Sequence, residues 1–317
     1  MAETARCFPN WQNQFIYLLA VVCLLLTSLY GETDACLART TLISVSGTNA
    51  SESLNAADFK VSVGGKIASV QSAKPADRPP RVVILVDASA NHDQSTWAVA
   101  QALVDEFLAE FPDAGDFTLL RFDDKVEKIV HATNRAALQG AWGEMFPSGK
   151  RESEAGLVEA LKKGSESLGA YRQGDAELLV VTSDQIHKET EQVLSQQTAA
   201  GIRLFAASFD QSRRYGPNRF GLDMQVENYS PLEAMAKASG GMWIWFDMSR
   251  QDTTATLQSA TTAGKSAATL VRNYVALELR LASPITKPEK LKIDLAKGKG
   301  KAPDRSTTYP REIFPCQ

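Results

Sequence analysis

Between Thr40 and Val70 the apolar positions fall in the manner of strands: Leu42, Ile43 and Val45, then Phe59, Val61 and Val63, then Ile67 and Val70 beyond the pair Gly64-Gly65. Alternation interrupted by two glycines predicts a small antiparallel unit with a tight turn. Lys74–Pro80, KPADRPP, reads as a linker, and after it the texture changes. Apolar runs at Val82–Val86, Phe117–Phe122, Lys125–His131, Leu178–Thr182, Ile202–Ser208 and Met242–Phe246 read as strands. Segments Ser95–Phe111, Glu154–Leu168, Lys188–Ala200, Pro231–Ser239 and Ser249–Leu270 read as helices, on spacings such as Val99, Ala102, Leu103, Phe107 and Leu157, Ala160, Leu161, Leu168. Strands alternating with helices predict an α/β fold with a doubly wound, mostly parallel sheet over residues 79–270. The aromatic run Met242-Trp243-Ile244-Trp245-Phe246 is assigned to core packing in that sheet.

Two further strands, Tyr274–Leu281 and Lys290–Leu295, follow with no helix between them, so they do not extend a parallel sheet. The simplest solution pairs them with the amino-terminal strands, making a small discontinuous β domain from residues 37–74 and 271–317. Residues 1–31 contain the apolar stretch Phe15–Leu26, FIYLLAVVCLLL, ahead of the polar Glu32-Thr33-Asp34. Its length suits a signal-peptide core, or alternatively an uncleaved amino-terminal membrane anchor, so the chain is expected to be exported. Cys7 and Cys23 lie in that segment, leaving Cys36 and Cys316 for the mature chain. In an exported chain two such cysteines predict one bridge joining the termini, the alternatives being two free thiols or an intermolecular bond.

Composition removes several function classes. With 317 residues, 44% hydrophobic and 22% charged, the chain can bury a sizeable core. Its net charge of -3, with both signs interspersed, offers no basic field for nucleic acid. No enzyme is expected: there is no G-x-S-x-G elbow, no H-E-x-x-H and no Cys/His pair in the mature chain, and His92, His131 and His187 form no metal-ligand spacing.

The chemistry-bearing stretch is Arg81–Asn91, RVVILVDASAN, where a buried strand delivers an acid and a hydroxyl at its carboxyl end. Open α/β sheets bind ligands at that edge. With FTLLRFDDKV, LLVVTSDQ, IRLFAASF and NYVALELRL following in order, and Asp58-Phe59-Lys60-Val61 with Gly65-Lys66 ahead of it, the chain resembles von Willebrand factor A (VWA) domain proteins, a Rossmann-like family, and specifically the exported bacterial type common in acidobacteria. The resemblance spans roughly Thr40 to Tyr309. It implies a metal ion-dependent adhesion site (MIDAS), in which D-x-S-x-S after the first strand, a threonine before a later helix and an aspartate ending the fourth strand hold Mg²⁺ or another divalent cation. Carried over, Asp87 and Ser89 match, Asn91 stands for the second serine, and Asp184 matches the strand-ending aspartate, followed by Gln185 where the family has glycine. No threonine precedes Leu157; Ser153 and Glu154 occupy that neighbourhood. Asn91 keeps a carbonyl oxygen, so a degenerate site remains compatible with a hard cation. The competing reading is that Asp87 and Ser89 only cap the helix that follows.

The stretch Asp210–Asn228, DQSRRYGPNRFGLDMQVEN, reads as a long polar loop on the same rim, carrying Arg213, Arg214, Arg219 and Phe220, residue types enriched at protein interfaces. The function expected is therefore an exported protein-binding module with a degenerate divalent-metal site, occupied or empty. The alternative is an architectural component of an envelope complex with no metal-dependent binding.

Overall fold

The computed structural model describes residues 36–45, 54–75, 81–89, 94–111, 113–145, 154–168, 176–182, 188–210, 215–217, 223–225, 231–248, 253–272, 274–295 and 307–315. In chain order the strands are β1 (Ala38–Val45), β2 (Phe59–Val63), β3 (Lys66–Pro75), β4 (Arg81–Asp87), β5 (Ala114–Phe122), β6 (Val126–Asn134), β7 (Ala176–Thr182), β8 (Arg203–Asp210), β9 (Tyr215–Pro217), β10 (Asp223–Gln225), β11 (Met242–Asp247), β12 (Tyr274–Arg280), β13 (Glu289–Leu295), β14 (Thr307–Thr308) and β15 (Glu312–Ile313). The helices are α1 (Gln94–Ala109), α2 (Arg135–Gly143), α3 (Glu154–Leu168), α4 (Lys188–Ala199), α5 (Pro231–Ser239) and α6 (Thr253–Arg272).

The central sheet has the order β11-β8-β7-β4-β5-β6, parallel throughout except for β6, which runs antiparallel to β5. Read from the β6 edge this is the 3-2-1-4-5-6 order of doubly wound sheets. Its strands are apolar on both faces because both are covered. Val82, Ile84 and Val86 point into a core shared with α1, α2 and α6, whereas Val83 and Leu85 point into one shared with α3, α4 and α5. Gly264 permits the closest approach between α6 and α1, since a Cβ there would lie 2.3 Å from the Leu103 carbonyl oxygen.

The terminal strands pair as expected. β1 and β3 flank β12, β13 pairs with β2, and the seven-stranded order is β14-β1-β12-β3-β2-β13-β15. Gly64 and Gly65, at φ +56° and +81°, make the β2–β3 turn, in which both central residues need a left-handed backbone. β3 bends between the two halves of the sheet, pairing with β2 over Lys66–Ala68 and with β12 from Ser69 onward. The first and last strands of this order, β14 and β15, follow each other directly in the chain, so the sheet curls on itself around one apolar interior containing Ile43, Phe59, Val61, Val275, Leu277, Leu291 and Ile293.

The opposite face of the curled sheet is covered at one end and exposed at the other, where Ile67 is 85% exposed. Leu42 and Tyr274 are buried in the α1–α6 core of the central sheet, so the two sheets share apolar contacts. Arg203, fully buried at the start of β8, joins them by hydrogen bonds: its Nε and Nη2 donate to the Gly240 carbonyl at 3.1 and 2.9 Å, and Nη2 also donates to Ser44 Oγ at 2.9 Å. Its guanidinium lies 4.7 Å from the Tyr274 ring centroid.

Several expectations are corrected. Helix α2 was not expected; Asn134 starts it, its side chain accepting from the Ala137 N–H at 2.8 Å, and only Leu138 and Trp142 anchor it. β5 begins at Ala114 rather than Phe117, and β6 runs on to Asn134 rather than His131. The stretch expected to be one loop, Asp210–Asn228, contains the antiparallel pair β9–β10. Helix α6 continues to Arg272, past the expected boundary at residue 270. β11, although an edge strand, packs into the core as expected: Phe246 is buried, and Met242, Trp243 and Ile244 pack against the two cores. Among the described residues no helix is long and apolar enough to cross a membrane; Phe15–Leu26 lies outside them.

Candidate functional site

The switch point of the central sheet lies between β4 and β7, where the connections turn to opposite sides. Asp87 ends β4 there, and Ala88 and Ser89 follow, all three fully buried. The Ser89 N–H donates to Asp87 Oδ1 at 2.8 Å, a local turn that fixes the carboxylate, and the Ala88 N–H donates to the Phe122 carbonyl at 2.8 Å, tying the turn to β5. The Ser89 hydroxyl is buried and has no hydrogen-bond partner among the described residues. A buried hydroxyl left without a partner costs about 1–3 kcal/mol, and a hard cation would satisfy its lone pairs.

One residue missed by sequence reasoning joins this edge. The β4–β5 register sets Asp87 against Phe122, so Asp123 follows next to Ala88, and it is fully buried. Asp123 Oδ1 accepts from the Lys125 N–H at 3.2 Å and its own N–H donates to the Lys125 carbonyl at 3.0 Å, forming the tight β5–β6 turn. The signal was present in Phe122-Asp123-Asp124 at a strand end, but its place beside Asp87 depends on the register.

Helix α3 reaches the same turn. A Cβ at Gly156 would lie 2.0 Å from the Asp123 carbonyl oxygen, so glycine is what lets the first turn of α3 approach. This brings the first turn of α3 toward Asp123. Glu159, one turn further along, accepts from the Val126 N–H at 3.2 Å and pairs with Lys163 at 2.6 Å. The Lys163 hydrogen bond and then the Val126 N–H hold its carboxyl below the ordinary carboxylate value.

Asp87 and Ser89 are thus brought together, with the carboxyl end of β7 across the switch point. Asn91, Asp184, Arg213, Arg214, Arg219, Phe220 and Cys316 lie outside the described residues. Among the described residues no three His, Cys, Asp or Glu side chains converge as a metal site. The described donors at this edge, the Asp87 and Asp123 carboxylates and the Ser89 hydroxyl, are oxygen groups of the kind that a hard cation takes.

No protein-family model matches the chain, and no curated protein matches it. Among solved structures it is similar to BatB, a conserved hypothetical protein from Bacteroides thetaiotaomicron, at 15% identity over 59% of this chain and 99% of that one, with a TM-score of 0.40. It is similar to a von Willebrand factor type A protein from Catenulispora acidiphila at 10% identity over 87% and 72%, with a TM-score of 0.43. A third is proximal thread matrix protein 1 from the mussel byssus with a zinc-occupied MIDAS motif, at 12% identity, a TM-score of 0.42 and coverage of 66% of this chain; the chain spans 50% of that protein. The fold itself is doubly wound α/β, with the 3-2-1-4-5-6 order and an antiparallel edge strand β6.

Proposed function

We propose that this chain is an exported protein-binding module that presents the carboxyl edge of its central sheet, together with the 210–228 loop, to a protein partner. A divalent cation at Asp87, Ser89, Asn91 and Asp184 would hold an open coordination position for an acidic group of that partner. The observation that carries the reading is the fully buried Ser89 Oγ with no hydrogen-bond partner among the described residues, beside the fixed Asp87 carboxylate. Arg213, Arg214, Arg219 and Phe220 would supply the adjoining contacts, Arg and aromatic anchors being the types that dominate interface energetics. No catalytic role is assigned to any residue.

The test is calorimetric titration of Mg²⁺ and Mn²⁺ into the protein, with Asp87→Ala and Ser89→Ala alongside. Saturable heat is expected for the parent protein, none for Asp87→Ala, and binding weakened about tenfold for Ser89→Ala, the equivalent of one lost polar contact. Absence of heat in the parent would overturn the cation. For the loop, replacing Arg213, Arg214 and Phe220 together by alanine is expected to abolish capture of the partner. Undiminished capture would favour the architectural reading, in which the curled terminal sheet does the docking.

Export and a Cys36–Cys316 bridge belong to the same reading. Cys36 is not a free thiol. Three residues beyond it, the Arg39 guanidinium donates to the carbonyl of Phe314, two residues short of Cys316, at 3.4 Å. That contact supports bringing the two ends of the chain together.

A further inference from the structure

We propose that the tail Thr307–Pro315 is a redox-held latch that closes the terminal sheet and ties it to helix α5; this rests on the Cys36–Cys316 bridge of the preceding reading. The tail supplies both closing strands of the curled sheet, yet each is only two residues long: β14 pairs Thr307 and Thr308 with Val45 and Ser44, and β15 pairs Glu312 and Ile313 with Lys290 and Glu289. Strands this short contribute little pairing of their own, so something must offset the entropy of ordering them.

What the tail covers is substantial. Tyr309 and Ile313 are buried and seal the apolar interior otherwise lined by Ile43, Val275 and Leu291. Between them the chain crosses to the other sheet: the Arg311 N–H donates to the Ala238 carbonyl of α5 at 2.7 Å, and the Leu291 N–H donates to the Arg311 carbonyl at 2.9 Å. The turn it lies on is shaped for it. Gly240 has φ +76°, and a Cβ there would sit 2.3 Å from the Tyr309 carbonyl carbon. The same Gly240 carbonyl accepts from Arg203, so the tail, α5 and the buried arginine meet at one point.

A bridge from Cys36 to Cys316 would anchor this tail at its far end while closing a loop of almost the whole chain, the case in which a cross-link constrains the unfolded state most. Opening it requires a dithiol reductant. Its thiolate attacks one bridge sulfur to give a mixed disulfide; its second thiol displaces the remaining cysteine. Two protonated thiols stay on the chain and the reductant leaves as a cyclic disulfide. The tail then keeps its two short strands, the two amide bonds around Arg311, the Arg39 bond to the Phe314 carbonyl and the burial of Tyr309 and Ile313, without the covalent anchor. The closed form is accordingly a property of an oxidising compartment.

The experiment is amide hydrogen exchange on the full chain, oxidised and after treatment with dithiothreitol, with cysteine pairing mapped by mass spectrometry of peptides. Reduction is expected to speed exchange at the Arg311 and Leu291 amides about tenfold or more while the Leu85 and Val180 amides in the central sheet stay unchanged, as for a local opening. The melting temperature should fall on the order of 10 °C. Cys316→Ser under oxidising conditions should reproduce the reduced pattern, and the reversible reduction of the parent protein serves if that variant fails to fold. Mapping that pairs Cys36 with Cys7 or Cys23 would overturn the bridge and the latch with it. A mapped Cys36–Cys316 bridge with unchanged Arg311 and Leu291 exchange on reduction would overturn the latch alone.

Discussion

Arg203→Ala is expected to lower stability by about 3–5 kcal/mol, the sum of a large-to-small cavity and an orphaned carbonyl. The side chain is among the largest that the fold buries completely, and it fills the junction between β8, β1 and the α5–β11 turn. Removing it strips the Gly240 carbonyl of the bonds from Nε and Nη2 and leaves the Ser44 hydroxyl with only its own bond to the Leu270 carbonyl. Arg203→Met separates the two contributions. It keeps most of the volume and loses the donors, so it should cost about 1–3 kcal/mol, the penalty for an unsatisfied buried carbonyl. Urea unfolding of both variants reads this as a shift of midpoint at constant slope. A loss below about 1 kcal/mol for Arg203→Ala would mean that the two sheets are held together by the apolar contacts of Leu42 and Tyr274 alone.

Gly264→Ala is expected to destabilise by about 2–3 kcal/mol, although alanine in a helix interior ordinarily gains about 1 kcal/mol over glycine. The sign reverses because the new Cβ would lie 2.3 Å from the Leu103 carbonyl oxygen and 3.1 Å from the Phe107 nitrogen, both backbone atoms of α1. Backbone in a packed helix cannot swing aside as a side-chain tip can. α6 would have to move away from α1, opening the core that Val99, Leu103, Phe107, Ala260 and Ala267 share. Thermal unfolding of the variant checks this, and a raised melting temperature would show that the two helices are free to separate at no cost.

The contrast between these two sites runs through the whole molecule. Where a residue's fate depended on its neighbours in the chain, the pattern was legible. The both-face apolar run Val82–Val86 announced a covered parallel strand, and Gly64-Gly65 between alternating residues announced a hairpin, because side-chain period and left-handed backbone are local properties. The pairing of the carboxyl-terminal strands with the amino-terminal ones was legible as well, since strands with no intervening helix had nowhere else to go. Helix α2 was not, because a nine-residue segment with two buried anchors carries too few periodic positions to stand out.

The candidate site divides in the same way. Asp87 and Ser89 were readable from the strand end that carries them, but Asp123 became part of the site only through the β4–β5 register, and Gly156 only through the approach of α3 to the Asp123 carbonyl. The core packing of the aromatic strand β11 was legible from its composition, but its place at the sheet edge was not, because strand order is decided by which helices cross which face rather than by how apolar a strand is. The sequence by itself determined most of the elements, the α/β class, the pairing of the strands from the two ends and the acid and hydroxyl at a strand end, because these follow from local pattern and from the order of elements. The tertiary structure alone decided the burial of Arg203, whose partners Ser44 and Gly240 lie 159 and 37 residues away, and the seating of the tail against α5. Contacts between residues so far apart in the chain arise only when the two sheets pack, and no local pattern encodes them.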